Sequence, residues 1–93
     1  MFAYAAAIKT YLAPLAALQI AQEVLVQSGF QVFDPLQPGK ITVCGEHPAG
    51  VLVTVVSIDC EGGSATVINS FSPGDPASAE QMMMAVYQTI QAS

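Results

Sequence analysis

Hydrophobic residues recur at two different periods along the chain, and the change falls near Gly29. Before it, Tyr4, Ile8, Tyr11 or Leu12, Leu15, Leu18 and Leu25 return at three- and four-residue steps, the spacing of one helix face. Abundant alanine fits that reading, because alanine has the strongest intrinsic helix preference. Gly29 then ends the helix, as a glycine just past the last turn does. Pro14 either kinks one long helix or separates a short first helix from a second that begins near Ala13.

From Phe30 the alternation shortens towards two, and four strands are predicted, over 30–35, 40–44, 51–59 and 65–71. Gln37-Pro38-Gly39-Lys40 has the proline and glycine of a type II turn between the first two. Gly45 to Gly50 is read as a polar loop with Pro48, and Glu61-Gly62-Gly63-Ser64 as a tight hairpin turn. The last helix begins with Asp75 as cap and Pro76 at its first position, or with Ser78 as cap and Gln81 closing a capping box. Ala79, Met83, Val86 and Ile90 then share one face, with Met82 and Tyr87 beside it.

The expected architecture is therefore a single α+β domain over 1–93. It has an N-terminal helix, kinked or broken at Pro14, then a four-stranded antiparallel meander, then a C-terminal helix. Both helices cover one face of the sheet. Placing Leu36 opposite Ile41 and Val43 opposite Leu52 puts Phe30, Val32, Leu52, Val56, Ile58, Val67 and Phe71 on the covered face. The open face then carries Phe33, Val51, Val53, Val55 and Ile68 among Thr42, Ser57, Thr66 and Ser70. In this meander the fourth strand is an edge with neither charge nor proline. Such an edge invites pairing with another chain or needs cover from the N-terminal segment.

Composition changes the picture in one respect. The 93 residues are 53% hydrophobic and only 10% charged, against a usual charged share of about 25%. A domain this small leaves much of its surface in water, so either that surface is polar but uncharged, as the Gln, Ser and Thr content allows, or some apolar surface is covered by another chain. The net charge of −5 with two basic residues argues against nucleic acid and anionic membranes. No apolar run is long enough to span a bilayer, and the N-terminal run lacks the basic start of a signal peptide. A cytoplasmic location is the expectation.

Chemistry has few candidates. Cys44-Gly45-Glu46-His47, with Cys60 further on, contains zinc-ligand residue types, and Glu46 or Asp59 would add oxygen ligands. In the expected meander Cys60 lies about 30 Å along the strand from Cys44, too far for a shared metal or a disulfide. Cys44 and His47 are the weak candidates for a nucleophile and base, with Asp75 placed at the same end of the sheet. No dinucleotide or phosphate-binding loop is present, and no cofactor or metal is expected. The leading expectation is a non-catalytic interaction module acting as a homodimer, through the open face (Phe33, Val53, Val55, Ile68, Thr66, Ser70) or the fourth-strand edge. The alternatives are a binder of a small apolar ligand, with a sheet–helix pocket lined by Phe71, Met82, Met83 and Tyr87, and a small enzyme using Cys44 and His47; a protein partner or an apolar ligand is the expected company besides a second copy.

Overall fold

The computed structural model describes residues 1–33, 36 and 39–93. The chain runs β1 (Phe2–Thr10), α1 (Pro14–Gln27), β2 (Gln31–Val32), β3 (Thr42–Glu46), β4 (Leu52–Cys60), β5 (Gly63–Ser72) and α2 (Pro76–Gln91). The strands form one five-stranded antiparallel sheet in the order β1-β5-β4-β3-β2. The fold is α+β, as the sequence indicates, with one strand more than expected. The turn read over 37–40 involves Gln37 and Pro38, which lie outside the described residues.

The extra strand replaces the first helix. Residues 2–10 pair one-for-one with β5, from Phe2 opposite Ser72 to Thr10 opposite Ser64. Tyr4 and Ile8 are four apart, but with Ala6 between them they are also alternate residues of a strand. Tertiary pairing decides between the two periods and overrides alanine's helix preference. The helix starts at Pro14, whose fixed φ suits the first turn and whose missing N–H costs nothing there.

This strand also corrects the edge. The bare strand over 65–71 lies inside the sheet, between β1 and β4, and the N-terminal segment covers it. The outer strands are β1 and the two-residue β2.

The first hairpin keeps its expected parity, with Val32 opposite Gly45. The second does not: Val43 lies opposite Val55 rather than Leu52. Gly45 and Glu46, read as loop, continue β3. A Cβ on Gly45 would stand 3.3 Å from Leu25 Cδ1 and 3.4 Å from Phe30 Cβ, so glycine lets the α1 side of the core close over that position. The shift is an odd number of residues, so it exchanges the faces of β4 and β5.

Both helices pack on the face that carries Val43, Val53, Val55 and Ile68. Leu18, Leu25, Val86 and Ile90 complete this core, and all eight are buried. α2 is built as its sequence indicates. The Asp75 carboxylate accepts from the Ala77 N–H at 3.0 Å and from the Ser78 hydroxyl at 2.7 Å, Pro76 opens the helix, and Ala79, Met83, Val86 and Ile90 are its buried face. Those two bonds, the Ser78 hydroxyl first, hold the Asp75 carboxyl below its ordinary pKa.

Candidate functional site: the open sheet face

Strand alternation makes the two sheet faces separate surfaces. The helix-covered side of β5 carries Ser64, Thr66, Ile68, Ser70 and Ser72, all buried. Four of the five side chains are hydroxyls. Thr66 Oγ1 lies 3.0 Å from Ser57 Oγ on β4, and Ser72 Oγ accepts the Asp75 N–H at 3.2 Å. The Ser64 and Ser70 hydroxyls are buried without a hydrogen-bond partner. The helices over this side also bury small residues, Ala17 and Ala21 on α1 and Ala79 on α2.

The open side carries Ala3, Ala5 and Ala7 on β1, then Ala65, Val67, Asn69 and Phe71 on β5. Leu52, Thr54, Val56 and Ile58 follow on β4, and Thr42 and Cys44 on β3. Val67 is 40% exposed and Ile58 51%. These strand residues carry no charge until the margins, where Lys9 (opposite Ala65) and Glu46 (opposite Leu52) stand at diagonal corners.

The residues expected on the open face therefore divide. Val53, Val55, Thr66, Ile68 and Ser70 lie under the helices and present nothing outward, while Phe33 is 54% exposed. The outward residues are their strand neighbours Leu52, Thr54, Val56, Val67 and Phe71. The correction follows from the β3–β4 register alone.

The expected ligand pocket is likewise dispersed. Met83 is in the core, and Met82 and Tyr87 pack against it from the helix side. Phe71 faces the opposite side of the sheet, in a groove of about 510 Å³ with Met1, Phe33, Glu46, Leu52 and Pro73. Missed by sequence reasoning, this groove is assembled from the start of the chain and the ends of three strands.

The chemical candidates do not converge. Cys44 is on the open face, with Sγ 3.6 Å from Thr54 Oγ1. His47 lies on the covered side, its ring centroid 5.3 Å from that of Phe30, and its Nδ1 accepts the Ala49 N–H at 3.0 Å. The sheet separates thiol from imidazole. Cys60 is six residues beyond Thr54 on β4, about 20 Å from Cys44 at strand rise, and both thiols are free. The Asp75 carboxylate is engaged at the start of α2. Among the described residues, no three His, Cys, Asp or Glu side chains cluster to hold a metal, and no helix is long and apolar enough to cross a membrane. No family model matches the chain, and no curated protein matches it.

Proposed function

We propose that this protein is a non-catalytic interaction module that works as a homodimer through its open sheet face. The observation that supports this is the polarity of β5, with four hydroxyls around Ile68 beneath the helices and Ala65, Val67 and Phe71 around Asn69 outside. An antiparallel sheet with one wet face should show the opposite alternation. A sheet that is dry on both sides has no such requirement.

A second copy of the chain suits this face in size and charge. Three long strands and β3 cover roughly 500 Å² in projection at usual strand spacing and rise. Two such faces in full overlap bury about 1,000 Å², just below standard specific interfaces and in the range of weak, reversible ones. A two-fold axis crossing the face between its marked corners sets Lys9 of each copy over Glu46 of the other. Mean strand directions then cross steeply, as in orthogonal sheet packing.

The test is the mass in solution by light scattering. Wild type is expected above the 9.7 kDa of one chain, and Val67→Lys is expected to lose the face-mediated contact while keeping its circular dichroism. A wild type that remains monomeric at high micromolar concentration sinks the proposal.

A second reading rests on the groove at Phe33, Leu52 and Phe71, whose about 510 Å³ suits a small apolar ligand. Nile red fluorescence enhancement that Phe71→Ala abolishes supports it. Enhancement insensitive to that change rejects the site.

A further inference from the structure

The outer edge of β1 is a second surface, separate from the open face. It is nine residues long, and from Phe2 to Ile8 it has no charge, no proline and no bulge. Sheet edges in proteins that stay single are normally short, charged, kinked or covered. The opposite edge follows that rule, since β2 has only two residues. On β1 the helix-facing residues Tyr4, Ala6 and Ile8 remain half-buried, whereas Thr66, Ile68 and Ser70 beside them on β5 are fully buried. The core is thus only half-closed along β1, as it also is at Val32 on β2.

We infer that β1 pairs antiparallel with β1 of a second copy, continuing the sheet from five strands to ten. The sequence is self-complementary for this arrangement. Full overlap of Phe2–Thr10 puts Ala6 opposite Ala6 on the two-fold axis and Ala5 opposite Ala7, so small side chains meet at the centre. Phe2 then falls opposite Thr10 of the other copy. This brings Phe2, 42% exposed, next to Tyr11, 96% exposed, at both ends of the joint. The strand's one charge, Lys9, faces Ala3, and the two lysines lie about 20 Å apart, where salt screens their repulsion. The inference rests on the self-association in the proposed function but uses a different surface. If both two-fold joints operate, they generate a closed tetramer or an open filament.

The test is cross-linking of the full chain with Cys44→Ser and Cys60→Ser in the background. Ala6→Cys should oxidise to a covalent dimer quickly, because directly opposed residues lie within disulfide reach. Phe2→Cys is the control, since it lies on the helix side of the sheet, away from the open face, and its copy would be about 26 Å away. At least tenfold faster cross-linking at Ala6 than at Phe2, retained when Val67→Lys is added, is the expected result. Equal rates at the two positions overturn the inference, and so does loss of the Ala6 preference on adding Val67→Lys. A wild type larger than one chain with equal rates leaves the open face as its joint. A monomeric wild type that shows no Ala6 preference rejects both surfaces.

Discussion

The two faces of β5 differ in a way that ordinary amphipathic patterning does not explain. Inward lie Ser64, Thr66, Ile68, Ser70 and Ser72; outward lie Ala65, Val67, Asn69 and Phe71. Buried hydroxyls are costly when unpaired, and two of these have no partner. Exposed aliphatic residues forgo burial worth about 25 cal/mol per Å². A monomer in water therefore gains nothing from this distribution, whereas cover on the outer face recovers the burial of Val67 and Phe71 while leaving the two inward hydroxyls as they are. On β4 the contrast vanishes: Val53 and Val55 face inward, Leu52, Val56 and Ile58 outward. In the proposed dimer the sheet is the middle layer of something thicker than one chain.

The sharpest way to break the comparison is to put the same charge on each face. Ile68→Lys buries an unpaired cation under the helices and is expected to remove most of the stability of a domain in the usual 5–15 kcal/mol range. Val67→Lys, one residue along, should change monomer stability by less than about 0.5 kcal/mol and act on association. Urea denaturation of both proteins measures the contrast, and similar losses would mean that the faces are misassigned.

Gly63 comes next. It has φ +149°, and a Cβ there would collide with the Thr10 carbonyl and with Tyr11, where the chain leaves β1. Gly63→Ala is expected to cost more than about 2 kcal/mol, read as a lowered urea midpoint. An unchanged midpoint would mean that the β1–β5 junction is loose.

Asp75 provides a pH-dependent effect. Its folded pKa is depressed, so its contribution to stability is present at neutral pH. That contribution is lost as pH falls through and below the ordinary carboxylate range. Asp75→Asn should flatten the acid limb of the stability profile near pH 4 and leave the region above pH 6 parallel to wild type. The smallest effect has the opposite sign. Ser70→Ala removes an unpartnered buried hydroxyl and should be neutral or stabilising by up to about 1 kcal/mol. A loss larger than that in thermal or urea melts would mean that Ser70 has a partner in solution.

The sequence speaks clearly wherever one local signal has no rival. Asp75, Pro76 and the Ala79-Met83-Val86-Ile90 stripe specify α2, and Glu61-Gly62 specify the β4–β5 hairpin. It is silent on β1, because Ala3, Ala5 and Ala7 outside and Ala6 inside offer no contrast between faces. The open face was misread for a related reason. With apolar residues on both sides of β4, only the register from β3 chooses a face, and that register depends on whether Gly45 and Glu46 are strand or loop. A Cβ at Gly45 would crowd Leu25 and Phe30, a tertiary constraint that the local sequence does not display. Cys44 and His47 are three residues apart in the chain and on opposite sides of the sheet, a separation that spacing alone does not reveal.

The central claim is that the open face is dry because a second copy covers it. Its most direct test is the melting temperature as a function of protein concentration, since association that favours the folded state raises it by mass action. The account predicts a wild-type melting temperature that climbs steadily over a hundredfold range of concentration, with a clearly shallower slope for Val67→Lys. A wild-type value that stays flat across that range, or a slope that Val67→Lys leaves untouched, would contradict it.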